Sequence, residues 1–314
     1  MSVSLVGGKY RWPARLLLAA LVLLAAWVII SRGDSWLQEI RAFQWHPDWF
    51  SLAASALLLA GSYYVIPAGW IILSKRAGCE CGSAELRSAW FVSQLGRYVP
   101  GKVWLFAGRA AFLRSKGMTG YRATSVPFLE LLYTAAGAGL AALPAAVPAS
   151  GTVFSSSALR GALMAAGGSM LLIPFLRPLQ RWLYRLRYGD APKELPLPGT
   201  AGSLKLLLLY AALWWSRGFI LYLWLSGFGV SGVSIWMCFA AAPLSWLAGY
   251  VVFLVPGGIG VREAAVTALV APAGMTGPVL AVIAGQRLIL SVIEVSFALA
   301  AAGRTGACGK KVDA

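Results

Sequence analysis

Apolar runs of about 20 residues dominate this chain, and each is long enough to cross the roughly 30 Å hydrocarbon core of a bilayer. Six are uninterrupted, at 13–31, 49–73, 124–147, 158–175, 204–226 and 278–301. Of the 314 residues, 59% are hydrophobic and 12% charged, against about 45–50% and about 25% in an ordinary soluble domain. A soluble fold of this length cannot hide so much apolar surface. The chain is read as an all-α integral membrane protein forming one polytopic domain over 1–314. Soluble enzymes, secreted disulfide scaffolds and nucleic-acid readers are thereby excluded.

Two further apolar regions, 88–113 and 235–270, are interrupted by Pro-Gly. Val99-Pro100-Gly101-Lys102 breaks the first, and Val255-Pro256-Gly257-Gly258-Ile259-Gly260 the second. Proline removes a backbone donor and clashes with the preceding turn, and glycine takes conformations other residues adopt at a cost. Each region is expected to be two half-helices meeting at an unwound point. Such backbone is tolerated at membrane depth only inside protein or beside a watery cavity.

Pro100 and Pro256 lie 156 positions apart, and the flanking spans are offset by nearly the same amount. The chain therefore reads as two similar halves, near 1–150 and 151–314. Each half holds three spanning helices plus one Pro-Gly-broken re-entrant element. With the N-terminus inside and both broken regions re-entering, nineteen of the 27 Lys and Arg residues fall inside. Three (Arg32, Arg41 and Arg160) fall outside, and five stay within the membrane. Full crossing of the broken regions would move the basic loop 109–122 outside, against the positive-inside rule. The net charge of +16 is thus assigned to cytoplasmic loops rather than to nucleic acid. Both termini are expected in the cytoplasm and the second half inverted, an arrangement that points to a transporter's central site. The basic amphipathic segment 176–188 is expected to lie along the inner interface.

Eight ionisable residues remain at membrane depth: Arg97, Lys102, Glu130, Arg217, Arg262, Glu263, Arg287 and Glu294. Each costs at least about 2.5–3.5 kcal/mol at a helix centre, so each needs a partner, water or a ligand. Five are cationic and three anionic, a surplus of two positive charges that suits an anionic ligand. Gly257, Gly258 and Gly260 can bring backbone N–H groups close to that ligand, and a half-helix is expected to begin near Val261. Its N-terminus favours phosphate or carboxylate, Arg262 adds a bidentate fork, and Lys102 a point charge. Arg287 and Glu294 share one face of the last span, two turns or about 10 Å apart, so each is expected to pair with another helix. Glu130 and Glu294 hold comparable places in the two halves. With Glu263 and Arg287 they are candidates for charge balance or proton coupling.

Gly227-Phe-Gly229-Val-Ser-Gly232 matches GxGxxG, but it follows a spanning helix rather than a strand and is set aside. Cys79, Cys81, Cys238 and Cys308 form no CxxC pair, and His46 has no companion ligand, so neither metal nor cofactor is expected. No polar stretch exceeds the roughly 28 residues of 176–203, so no soluble catalytic domain is expected.

The runs Gln94-Leu-Gly-Arg97-Tyr-Val-Pro100-Gly101-Lys102-Val-Trp104 and Val255-Pro-Gly-Gly-Ile-Gly-Val-Arg262-Glu263 resemble the flippase-like membrane domain of lysylphosphatidylglycerol synthases. By this resemblance Arg262 and Glu263 match the family's Arg-Glu. Lys102 matches a basic residue after Pro-Gly, and Arg109 an arginine beyond it. Ala264 and Trp104 stand where many relatives carry glycine, a departure that bears on the substrate. The resemblance does not extend to the synthases' soluble aminoacyl-transfer domain, so the chain is not expected to make lysyl lipid. The resemblance implies a flippase or transporter for an anionic, headgroup-modified or polyprenyl-phosphate-linked lipid in the cytoplasmic membrane. Arg97, Lys102, Arg109, Arg262 and the Gly257–Gly260 amides would bind the lipid. A lipid-modifying or glycan-assembly enzyme is a possible partner. A membrane transferase acting on a lipid-linked sugar and a small-anion transporter are the alternatives.

Overall fold

The computed structural model describes residues 31–99, 103–143, 198–252 and 255–309. Most of span 13–31, span 158–175, the segment 176–188 and Pro100-Gly101-Lys102 lie outside the described residues. Those described are helical with no strand: α1 (31–42), α2 (Trp49–Val65), α3 (Ala68–Arg76), α4 (Ser83–Gln94) and α5 (Val103–Ser115). After these come α6 (Gly120–Ala141), α7 (Thr200–Gly227), α8 (Ile235–Val251), α9 (Val261–Val270) and α10 (Thr276–Gly309).

Among the described residues, three stretches of 28 residues are long and apolar enough to cross a membrane: Trp49–Arg76, Thr200–Gly227 and Thr276–Gly303. At ~1.5 Å per residue each reaches about 42 Å. They coincide with the expected spans 49–73, 204–226 and 278–301. The first is α2 and α3 joined end to end. Pro67 has no N–H to give the preceding turn, yet Ile66 still bonds to the Ser62 carbonyl and Ile71 to the Pro67 carbonyl, so the axis kinks without breaking. The expected span 124–147 is α6, which starts four residues earlier and carries Pro127 in its interior.

Both interrupted regions fold back as hairpins. Along α4 and α5, Lys116 pairs with Glu85, Arg109 Nε donates to Ser93 Oγ at 2.9 Å, and Gly96 lies against the backbone of Leu105. The partners' numbers rise on one helix as they fall on the other, so the helices run antiparallel. With 12 and 13 residues, each is about 18–20 Å long, too short to cross alone. In the second region α8 packs along α9. Gly249 lies against the Arg262 side chain near the tip, and Gly232 faces Pro272 at the open end.

α7 runs through the middle and packs against α2, α6 and α8. Small residues allow these approaches, as is usual where lipid supplies no hydrophobic drive between helices. A Cβ on Gly137 would stand 2.6 Å from Tyr210 Cβ, and one on Gly218 2.6 Å from Phe239 Cα. Outward faces stay apolar, with Leu57, Leu288, Val292 and Leu299 exposed.

Contacts at the two ends of α7 orient the hairpins. The Arg76 guanidinium lies against Gly202, so α3 ends where α7 begins, beside the open end of α4–α5. Gly227 at the other end of α7 accepts from the Asp48 N–H, and there Gly277 N–H donates to Glu39 Oε2 of α1 at 2.7 Å. The α8–α9 hairpin opens to that second end. The two hairpins therefore enter from opposite ends of the long helices and point at each other.

Candidate functional site

The hairpin tips meet. The first passes through a 3-10 turn at Leu95–Tyr98, the second through one at Pro256–Gly258. Gly257, Gly258 and Gly260 have φ of 61°, 70° and 83°, a left-handed backbone that costs other residues roughly 1–2 kcal/mol each. The Tyr98 ring lies over Gly257, and Arg287 Nη2 donates to the Gly257 carbonyl. The second half-helix begins at Val261, where its sequence placed it. Glu263 reaches back to accept from the Gly260 N–H at 2.6 Å. Its carboxylate thus covers one free donor at the positive helix end.

A cavity of about 240 Å³ opens beside these tips. Its wall holds five arginines (97, 109, 217, 262 and 287) and three glutamates (130, 263 and 294). Every glutamate is taken by an arginine. Arg97 Nη2 pairs with Glu294 Oε2 at 2.6 Å, and the Tyr98 hydroxyl donates to the same oxygen at 2.7 Å. Arg287 Nε lies 3.4 Å from Glu263 Oε1. Arg109 pairs with Glu130, whose other oxygen accepts from Trp90 Nε1 at 2.8 Å. The Arg109 guanidinium also sits 5.0 Å above the Trp90 ring, a cation–π contact.

Arg217 and Arg262 pair with no carboxylate among the described residues. Both are half-buried, and Arg262 Nε is enclosed without a hydrogen-bond partner. Arg217 lies within electrostatic reach of Arg97 and Glu294, and Arg262 within reach of Arg287 and Arg97. Five arginines and three glutamates line the cavity, so an excess of two positive charges falls on Arg217 and Arg262; this excess includes Arg109 where the sequence count had Lys102. A guanidinium fork is well shaped for an anion.

Seven of the eight ionisable residues assigned to membrane depth line this cavity, and Lys102 lies outside the described residues. Arg287 and Glu294 do find partners on other elements, as their spacing required. Arg109 differs from its place in the charge count, where it belonged to a cytoplasmic loop. It is 3% exposed on α5 and locked to Glu130. The apolar run Val103-Trp-Leu-Phe-Ala-Gly-Arg109-Ala-Ala-Phe-Leu113 is the signal that carries it inward. Tyr98, which ties the first tip to Glu294, carried no motif of its own. Arg217 was counted at membrane depth but left out of the ligand set, because its role depends on which arginines remain unpaired.

The model of the lysylphosphatidylglycerol synthase TM region matches residues 12–297, a stretch that includes both hairpins and every residue of the cavity. The chain belongs to this family. Within the synthase TM-region family, the Arg262-Glu263 pair carried by the second motif divides its duties here. Glu263 caps α9 and holds Arg287, while Arg262 is left to the cavity. No curated protein matches the sequence.

Proposed function

We propose that the protein moves an anionic membrane lipid between leaflets, the headgroup entering the cavity where the hairpin tips meet. The observation that carries this reading is the pairing pattern: three glutamates are consumed by three arginines, leaving Arg217 and Arg262 without a carboxylate. A cation at membrane depth without a carboxylate is costly, so two of them lining one cavity favour a negatively charged group. Of the three glycines expected to offer amides, only Gly257 lines the cavity, because the Gly258 N–H donates to the Val255 carbonyl and the Gly260 N–H to Glu263. The phosphate of a lipid supplies the charge, and acyl chains stay in the bilayer beside the exposed apolar faces.

In this reading transport, not catalysis, is the activity. The two hairpins open to opposite faces and touch through Tyr98 and Gly257, so rocking one against the other would expose the cavity alternately to each side. Lys75, Arg76, Arg87, Arg114, Lys116 and Arg122 stand at the end where α4–α5 opens, which the positive-inside rule assigns to the cytoplasm. Both termini then lie in the cytoplasm, the membrane being the cytoplasmic one.

The test is transbilayer movement of labelled phosphatidylglycerol, aminoacylated phosphatidylglycerol and a polyprenyl phosphate in proteoliposomes. Wild type should move at least one of them, and Arg217→Ala and Arg262→Ala should abolish that movement. A folded wild type that moves none, or variants as active as wild type, would overturn the reading.

A further inference from the structure

The cavity contains a second set of groups that an anion on Arg217 and Arg262 leaves unused. On its α7 and α8 side, Trp214, Trp246 and Tyr250 make a continuous aromatic wall. Ring centroids are 5.2 Å apart for the two tryptophans and 4.4 Å apart for Trp246 and Tyr250. All three are half-buried and line the cavity. Three neutral polar atoms of other lining residues, Gln286 Nε2, Tyr63 Oη and Tyr210 Oη, are buried with no hydrogen-bond partner, the last of them turned toward Gly69. Buried polar atoms are normally satisfied, and exceptions in a cavity call for an explanation.

Neutral donors without partners beside unpaired cations match a ligand that carries hydroxyl groups as well as an anion. An aromatic wall matches a ligand with a flat apolar face. An ammonium group would also stack on such rings. Here the charge opposes it, since every glutamate is already held by an arginine and Arg217 and Arg262 remain in excess. The C–H face of a pyranose stacks on aromatic rings without bringing charge, and its ring hydroxyls accept and donate. The size agrees: about 240 Å³ lies below the ~300–1,000 Å³ of sites for drug-sized molecules, enough for a headgroup with the chains outside.

We propose that the lipid's phosphate bears a sugar, with the phosphate on Arg217 and Arg262 and the pyranose against the aromatic wall near Gln286 and Tyr63. This rests on the anionic-headgroup reading and narrows it to glycosylated phospholipids of the cavity's size.

The experiment measures equilibrium binding to the full chain in phosphatidylcholine nanodiscs. The probes are a polyprenyl phosphate, the same carrier bearing glucose, galactose or mannose, phosphatidylglycerol and lysyl-phosphatidylglycerol. At least one sugar-bearing carrier should bind tenfold or more tighter than the bare carrier. Trp246→Ala and Gln286→Leu should each reduce that gap to threefold or less and leave the bare carrier's affinity unchanged. Arg262→Ala should weaken both carriers tenfold or more. Equal affinity for bare and glycosylated carriers, or tighter binding of lysyl-phosphatidylglycerol or phosphatidylglycerol, overturns the sugar and spares the anion site. Failure of every anionic probe to bind removes the anion site and the sugar with it.

Discussion

Arg97, at the tip of the first hairpin, holds Glu294 of the last long helix at 2.6 Å, and the neighbouring Tyr98 hydroxyl holds the same carboxylate oxygen at 2.7 Å. Glu294 is 1% exposed, and its second oxygen has no partner. One carboxylate therefore ties the tip to the helix that also carries Arg287, the donor to the other tip.

Breaking that tie leaves a buried charge uncompensated, which typically costs about 3–5 kcal/mol, whereas removing both charges costs less. Arg97→Met and Glu294→Gln should each lower stability by that order, and the double variant should lose clearly less than their sum. Unfolding of the purified protein in mixed detergent and denaturant measures all three. Additive losses would mean that the two side chains act independently.

Arg217 and Arg262 should behave in the opposite sense. Neither holds a carboxylate, so alanine at either position removes a half-buried cation without orphaning a partner, and stability should stay within about 1 kcal/mol of wild type or rise. Lipid movement should nevertheless be lost. Arg262→Lys keeps the charge without the planar fork and should retain only part of the activity. A thermal shift assay beside the flipping assay checks both halves of the expectation.

Arg109 and Glu130 form an enclosed pair completed by Ser93 and Trp90. Arg109→Lys offers one point charge where two partners need separate nitrogens, so it should lower stability by roughly 1–3 kcal/mol through an unsatisfied buried acceptor. Arg109→Ala should lower it further, by about 3–5 kcal/mol. Full stability in Arg109→Ala would place this residue outside the framework that fixes the first hairpin on α6.

Two glycines should fail for different reasons. Alanine at Gly257 meets only ordinary contacts, its Cβ standing 3.5 Å from Arg287 Nη2, but must adopt φ near 61°, at roughly 1–2 kcal/mol. Alanine at Gly137 keeps a helical backbone and collides with Tyr210, forcing α6 away from α7. A D-alanine introduced at Gly257 by semisynthesis should restore stability there, whereas truncating Tyr210 to alanine should not rescue Gly137→Ala, because the collision is with the Tyr210 Cβ and the α7 backbone. Denaturation midpoints distinguish the two cases.

Cysteine accessibility in sealed vesicles tests the orientation. Cysteines placed at Lys116 and Arg122 should react only from the cytoplasmic side, and cysteines at Gly232 and Gly274 only from the other. Reaction of Lys116→Cys and Gly232→Cys from one side would contradict hairpins that open to opposite faces.

The sequence by itself determined the solvent. Run length and the scarcity of charge demand a bilayer, and Pro256 with Gly257, Gly258 and Gly260 fixes where the second broken element unwinds, because those constraints act within a few residues. It also pointed to an excess of positive charge at membrane depth but did not fix its members, since Arg109, counted in a loop, lines the cavity. Which charges remain was decided by tertiary structure. Arg97 meets Glu294 across the chain, and Arg287 turns from Glu294, its neighbour on the same helix face, to Glu263. Arg109 leaves the basic loop for Glu130. Pairing of this kind depends on which helix faces oppose one another and on where the hairpin tips stop. Packing between distant segments sets both, so the local motif could single out Arg262 but no local pattern distinguished Arg217.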